Sequence, residues 1–534
     1  MSDPLDDKIV DIRAAVEARK KAEEALLAEK AKPETPVITP RLVKQCLLAN
    51  ELGDGTLYAA LHRGKFLFNK TTGQWLMWQG HHWAVDVMEQ AFAGVEDVAL
   101  QYLEAGHLLK DDIDTARTAD KYDEAKQLSE LQASYYKRVK KLRSIAGAGN
   151  CLLYSHRVKD PLAIKGDEID TNPWLLACRN GVVDLRTGKM RPGRPEDYLL
   201  RAVPHEWRGI DCPAPVWDAA LRDIFEGPHA DEIIAFLRRA AGYSITGLNI
   251  ERLFLLLYGE HGQNGKGTIV ETLQYILGPL AAPVASEMLL DQGRTKSSSG
   301  PTPDIMALKG LRIAFASETN EGERFSTSKV KWFTGGDTLT GRNPHDKHPT
   351  SFTPSHVLWL LTNYLPRASA DDRPFWTRMK VVNFNWSFVE EPREPYEKKR
   401  DGDLLRKLSA EASGILAWLV RGCLEWQRDG LSPPAIVKQY TSDYQRNEDN
   451  VGQFIDECCV IDDRDEIPVK SRDAAGATAL YKAFRAWYEN NIGNKPVSQK
   501  KFGDIMGKKG FLKDKDNFGL IQYFGIRLKS QYET

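Results

Sequence analysis

Hydrophobic and polar positions follow two periods along this chain, and the switch between them marks out its elements. Gly64–Asp86 (GKFLFNKTTGQWLMWQGHHWAVD) alternates aromatic and polar residues around Thr72-Gly73 and Gly80, which predicts a β-meander. Residues 87–150 carry helical spacing and end in the basic run Tyr135–Arg143 (YYKRVKKLR). The plain reading of that run is a solvated helix face, although such a run could touch nucleic acid. Asn180–Lys189 (NGVVDLRTGK) places two turn signals around a short strand and predicts a hairpin. Helical patterns fill 213–250. Residues 252–385 then alternate: a strand at 253–258, a helix at 268–277, a strand at 311–316, a strand–turn–strand at 338–353 and a strand at 356–362. That alternation predicts a mainly parallel sheet with covering helices. Beyond Ser432-Pro433-Pro434 the pattern gives helices around Tyr440–Tyr444, near 478–490 and near 498–507, and a terminal β-like stretch at 518–528.

The N-terminal 31 residues differ. They are rich in Ala, Glu, Lys and Asp, with a thin stripe of Ile9, Ile12 and Val16, and Pro33, Pro36 and Pro40 end it. A frayed, solvated helix or tail is expected there rather than a coiled coil, because the repeat is too short. The organisation read from these shifts is a charged flexible tail at 1–40 and an α+β domain at 41–205. An α/β core at 206–430 and a C-terminal domain at 431–534 follow.

Composition narrows the picture. At 534 residues the chain has material for about three or four domains, and its formal net charge of -1 offers no bulk attraction to nucleic acid. Evidence for such a partner must be local. The seven cysteines form no C-x-x-C pair, which suggests a reducing cytoplasm and no structural zinc. His81 and His82 lack a nearby ligand cluster and read as hairpin surface residues. The longest apolar run is too short to span a bilayer, and no signal peptide precedes the acidic N-terminus, so a soluble cytoplasmic protein is expected.

The strongest chemical signal is Leu253–Thr272 (LFLLLYGEHGQNGKGTIVET). A hydrophobic run ends in a glycine-rich turn carrying Lys266 and then opens into a helix. Backbone N–H groups crowded by glycines, a helix N-terminus and one ammonium together make a phosphate cradle. The candidate nucleotide-binding residues are Gly259, Gly262, Gln263, Asn264, Gly265, Lys266, Gly267 and Thr268. The pattern departs from G-x-x-x-x-G-K-[ST]: Gly259 sits one place early, Gly267 follows the lysine, and the first hydroxyl is Thr268.

A phosphate loop needs partners from other strands. Leu311–Glu318 (LRIAFASE) is a hydrophobic strand ending in an acid, and a carboxylate there can polarise an attacking water. Ser317 stands where a second, metal-side acid is usual. His356–Pro366 (HVLWLLTNYLP) ends in Asn363, an amide suited to orienting water or sensing a terminal phosphate, or an ordinary turn residue. Asp371–Phe384 (DDRPFWTRMKVVNF) brings Arg373 and Arg378. Either could be an arginine finger acting across a subunit interface, or a surface ion-pair partner.

The order loop–lysine, strand–Glu318, hairpin, strand–Asn363, arginine is the layout of a AAA+ ATPase core. The chain resembles the superfamily 3 helicases, specifically the helicase portion of phage and plasmid primase–helicases, related to the poxvirus primase–helicase. The matching stretches are NGKGT (264–268), SETNEGERFSTSKVKWFTGGDTLTGR (317–342), LLTNYLP (360–366) and FWTRMKVVNF (375–384), with NGVVDLRTGK and AAGYSITGLN (240–249) upstream. The resemblance implies ATP bound between subunits of a homo-hexamer. It assigns Lys266 to the β/γ-phosphates, Glu318 to the catalytic carboxylate and Asn363 to the sensor, with Arg378 as first choice for the finger and Arg373 as reserve. Thr268 and Glu318 would face Mg²⁺. It also implies 3′→5′ movement on single-stranded or forked DNA in the replication of a phage, plasmid or mobile element.

Two local features fit DNA. Gly335–Pro354 brackets a polar tip holding Arg342, His345, Lys347 and His348, and in the helicase family this hairpin grips DNA in the ring's channel. Arg342, Lys347 and His348 are the expected contacts. From Lys495 to Lys529 nine Lys/Arg face three Asp, in a helix–turn–strand order that looks like a winged-helix module, with Lys500 and Lys501 near the helix start. A solvated basic face is the competing reading there. Residues 41–205 hold no convincing primase carboxylate constellation, so a separate primase subunit, or loss of that domain, is expected. The competing functions are a nucleotide-regulated origin-binding initiator without processive unwinding, and a small-molecule phosphoryl-transfer enzyme.

Overall fold

The computed structural model describes residues 38–292, 300–317, 320–344, 348–462, 464, 466–516 and 518–530. Most of the expected N-terminal tail, Glu318, His345 and Lys347 lie outside the described residues. The chain divides into two compact units, one of residues 38–78 and 84–168, the other of residues 79–83 and 169 onward. The boundary expected at 205 therefore falls inside the second unit.

The first unit is mainly helical. Helices α1 (Pro40–Leu48), α2 (Asn50–Leu61), α3 (Val95–Thr118), α4 (Tyr122–Leu142) and α5 (Ile145–Ser155) surround a small sheet. Its strands include β1 (Phe66–Asn69), β2 (Gln74–Trp78) and β3 (Ala163–Ile164). Leu57, Tyr58, Phe66, Val98, Tyr102 and Cys151 are fully buried among them. One reading changes here. The basic run of α4 is not wholly a solvated face, because Arg138 turns inward to Asp54, at 3.4 Å, beside the Tyr102 hydroxyl at 3.1 Å from that carboxylate. Burial raises the Asp54 carboxyl to about 6 even with Arg138 beside it.

In the second unit, β4 (Leu175–Cys178), β5 (Gly181–Asp184) and β6 (Lys189–Arg191) form an antiparallel meander across the two predicted turns, with β7 (Ala202–Val203) pairing parallel to β4. Its Leu176, Cys178 and Val183 belong to the same core as α6 (Pro215–Ile224), α7 (Ala230–Ser244), α8 (Lys266–Leu277) and α10 (Ala412–Asp429), whereas the short α9 (Arg373–Arg378) buries Phe375 and Trp376 in a second core. This explains why residues 169–205 fold with the α/β core rather than with what precedes them.

The centre of that core is a five-stranded parallel sheet: β8 (Phe254–Tyr258), β9 (Ala281–Pro283), β10 (Ile313–Ser317), β13 (Val357–Thr362) and β14 (Met379–Asn383), in the order β9-β10-β13-β8-β14. The hairpin strands β11 (Leu339–Gly341) and β12 (Thr350–Phe352) pair outside it. Central strands of a covered parallel sheet are apolar on both faces. Accordingly Leu255, Leu257, Trp359 and Leu361 enter one core, while Phe254, Leu256, Leu358 and Leu360 enter another on the opposite face. Two short parallel strands, β15 (Ser387–Val389) and β16 (Glu397–Lys399), follow β14.

The C-terminal segment carries α11 (Ala435–Asn447), α12 (Asn450–Cys458), α13 (Ala477–Asn491) and α14 (Gln499–Lys508). Strands β17 (Cys459–Ile461), β18 (Ala474–Gly476), β19 (Leu512–Lys515), β20 (Ile521–Phe524) and β21 (Ile526–Leu528) pair antiparallel, in the order β18-β20-β19 and as β17 with β21. Phe454, Phe484, Trp487 and Phe502 form its core. Among the described residues no helix is long and apolar enough to cross a membrane.

Candidate functional site

Strand β8 delivers the chain to the carboxyl edge of the sheet at Gly259, and α8 begins at Lys266, two residues before the predicted start. The earlier start places Lys266, Gly267 and Thr268 in the first helical turn, where N–H groups have no intrahelical acceptor and the dipole is positive. Gln263 (φ 56°) and Gly265 (φ 86°) are left-handed, so the turn between them is tight. Two glycines are needed for space. A Cβ on Gly259 would lie 2.0 Å from the Asn264 side-chain amide and 2.9 Å from the Phe384 carbonyl, and one on Gly265 would meet Ile224 at 2.8 Å. Gly262, at the crest, has nothing within 4 Å of such a position and leaves the cradle open.

The loop is braced from several sides. The Asn264 amide donates to the His261 carbonyl at 2.6 Å, and the Gly259 N–H donates to the Thr362 carbonyl at 3.3 Å. From β15, the Ser387 hydroxyl donates to the Gly262 carbonyl at 2.9 Å and the Phe388 N–H to the Gln263 carbonyl at 2.8 Å. The His261 ring stacks nearly parallel on Tyr396, with centroids 4.0 Å apart. Ser387, Phe388 and Tyr396 carry no motif, and nothing in the sequence pattern pointed to them.

Lys266 is 6% exposed. Its ammonium donates to Asn363 Oδ1 at 2.7 Å and to the Gly259 carbonyl at 3.3 Å. The pairing follows from register: Thr362 stands beside Tyr258 on adjacent parallel strands, so the residues that follow each, Asn363 and Gly259, meet at one edge. Burial pulls the Lys266 ammonium down to about 8. At neutral pH the buried cation therefore carries a cost of roughly 3 kcal/mol, which a phosphate in the cradle would offset.

Other predicted residues are placed differently. Ser317, the residue before Glu318, stands in register with Leu361 on the same side of the sheet's carboxyl edge. Arg373 and Arg378 are not brought to this loop. They lie on α9, which leads into Met379, and Met379 is in register with Phe254, about 13 Å along the strand from the loop. Arg378 Nε is buried without a hydrogen-bond partner, and burial with the Arg252 charge nearby lowers its pKa, against Asp372 and Asp337. Arg342 is half-buried at the end of β11, and its backbone N–H donates to the Thr302 hydroxyl at 3.1 Å, while His348 is exposed. Lys500 and Lys501 are exposed on the first turn of α14, whose Phe502, Ile505 and Met506 face the core. Among the described residues no group of three or more His, Cys, Asp or Glu is placed to hold a metal.

Gly259→Ala is expected to leave the chain folded but lower nucleotide affinity about tenfold, because overpacking forces the cradle to move. Titration with a fluorescent ATP analogue measures this, and unchanged affinity would mean that the loop has room its geometry denies.

Fold and site together define a covered parallel α/β domain with a glycine-built cradle and a buried lysine at the sheet's carboxyl edge. Residues 55–226 match the family described as "D5 N terminal like". The chain is 29% identical over 340 residues to a candidate helicase, L207/L206, of Acanthamoeba polyphaga mimivirus, covering 61% of this chain and 34% of that one. It is 28% identical over 423 residues to candidate helicase 022R of Frog virus 3, covering 64% and 42%. Candidate primase C962R of African swine fever virus (strain Badajoz 1971 Vero-adapted) is 25% identical over 343 residues, covering 61% and 34%. The apo structure of the NrS-1 C terminal region (305-718) is 12% identical with a TM-score of 0.34, covering 64% of this chain and 88% of that one, an overall likeness too slight to argue from. Over about three fifths of its length the chain is thus similar to viral proteins described as candidate helicases and primases, and its residues 55–226 to the D5 N terminal like family. It spans roughly a third to two fifths of the length of these curated relatives.

Proposed function

We propose that this chain is an ATP-hydrolysing DNA helicase of replication, with its motor in the parallel α/β core. The observation that carries this reading is the Lys266 ammonium held 2.7 Å from Asn363 Oδ1 at the mouth of the glycine loop. A cation that binds phosphate and an amide that senses it share one hydrogen bond, so a nucleotide that takes Lys266 also releases Asn363. The glycine cradle, the open crest at Gly262 and the first-turn N–H groups of α8 fit a triphosphate.

In the finer form of the proposal the core is AAA+, supported by its strand order, and the assembly is a homo-hexamer moving 3′→5′ on single-stranded or forked DNA of a phage, plasmid or mobile element. Lys266, Asn363 and Glu318 serve one subunit's ATP. Arg378, with Arg373 in reserve, serves the neighbour's. The distance of α9 from its own loop supports action in trans, as does the Arg378–Arg252 pairing of like charges, which an incoming anion would relieve. Mg²⁺ would be held by the Thr268 hydroxyl, Glu318 and the phosphates, and would polarise the terminal phosphate. The hairpin residues Arg342, Lys347 and His348 are assigned to the DNA backbone, and Lys500 and Lys501 to a winged-helix-like C-terminal domain.

The test is strand separation by paired variants. Glu318→Gln is expected to keep ATP binding and lose unwinding, with hydrolysis down by about a hundredfold or more, as for loss of a general base. Lys266→Ala is expected to lose both binding and unwinding. Unwinding at the wild-type rate by Glu318→Gln would remove that residue from the chemistry. An initiator that binds origins without unwinding would bind nucleotide and DNA yet separate no strands.

A further inference from the structure

A second cationic site lies at the other end of the sheet's edge strand. A cavity of about 530 Å³ opens between β14, α11 and the end of α14. Its lining includes Arg373, Lys380, Lys438, Lys508 and Lys509, against the single carboxylate of Asp371. Among the described residues two of the five cations have ion-pair partners, Lys509 with Asp449 and Lys508 at 3.8 Å from Asp371. Lys380 is largely enclosed and donates to the Thr377 carbonyl at 2.6 Å and the Met379 carbonyl at 3.1 Å. Burial pulls its ammonium down to about 8, with Lys438 pressing the same way and Glu251 opposing. Among the described residues neither Arg373 nor Lys438 has an ion-pair partner.

Like charges collected in a partly enclosed space repel one another unless an anion joins them. The surplus here exceeds one positive charge, which suits a group of two or more negative charges better than a single carboxylate. Lysine and arginine together are the residues that bind phosphate. The volume is in the range of small-ligand sites. The cavity also joins the core's edge strand to α14, so an occupant would fasten the C-terminal segment to the sheet.

We propose that this cavity is a phosphate-recognition site separate from the glycine loop, taking either a phosphodiester of a single strand or a free di- or polyphosphate. It does not rest on hydrolysis at the loop, and the test keeps the two apart. Inorganic pyrophosphate is titrated calorimetrically into the Lys266→Ala chain, whose loop is disabled. Binding is expected, and Lys438→Glu added to that chain is expected to weaken it at least tenfold. Lys407→Glu, an equal charge change elsewhere, is expected to leave it as it was. Lys438 is exposed, and circular dichroism checks that the fold is kept.

A short oligothymidylate separates the sources. If its affinity falls in parallel with Lys438→Glu, its salt slope drops by about 0.7, and pyrophosphate displaces it, the natural ligand is a phosphodiester. If pyrophosphate alone responds, the ligand is a free polyphosphate. Absence of pyrophosphate binding, or binding indifferent to Lys438→Glu, overturns the proposal.

Discussion

Lys266→Ala is expected to lower steady-state ATP hydrolysis by about a hundredfold or more and to weaken ATP binding. The alanine removes the loop's own ammonium from a cradle whose remaining donors are backbone dipoles. The buried ammonium makes a second, more specific outcome. Its pKa of about 8 belongs to the free chain, and a bound triphosphate would raise it. Below pH 8 the lysine is already charged and ATP binds without proton uptake. Above pH 8 the free chain carries a neutral amine, binding must take up a proton, and affinity falls towards tenfold per pH unit. Isothermal titration in buffers of different ionisation enthalpy measures that uptake directly. A pH-independent affinity between 7 and 9.5 would show that Lys266 does not face the phosphates.

Arg378→Ala is expected to cost about a thousandfold in hydrolysis, the scale of an arginine finger, while leaving ATP affinity near the wild-type value. Its position separates it from Lys266, because α9 sits about 13 Å along the strand from the loop of the same chain. A mixture of Arg378→Ala and Lys266→Ala chains therefore regains part of the lost activity, since some interfaces pair an intact lysine with an intact arginine. Each variant alone stays inactive. If Arg373→Ala collapses hydrolysis and Arg378→Ala does not, the role passes to Arg373. If mixing restores nothing while both variants fold, the site is not shared between chains.

What the amino-acid pattern revealed was local. The two periods located the strands at 254–258, 313–317 and 357–362, because a buried parallel strand writes its apolar run directly into the sequence. The glycine loop was legible for the same reason, since its backbone demands small residues at fixed places. The Lys266–Asn363 bond was not, because it joins positions 97 residues apart through a strand register that no short motif encodes. The braces from Ser387, Phe388 and Tyr396 escaped notice because one acts through a backbone N–H and the others are common residue types after the sheet. Arg138 read as a solvated cation because Asp54, its buried partner, is 84 residues away. The helix Asn450–Cys458, capped by Asp449, was passed over because nine residues show too little periodicity.

If the loop at Gly259–Thr268 drives movement on DNA, ATP turnover must depend both on Lys266 and on the strand. Steady-state phosphate release is followed at saturating Mg²⁺ and ATP, with and without single-stranded DNA, for the wild-type chain and for Lys266→Ala. Steady turnover that rises severalfold with DNA and disappears in the variant is expected. No turnover, or turnover indifferent to DNA from a monomer or dimer, would contradict it and favour an initiator or a small-molecule phosphoryl-transfer enzyme.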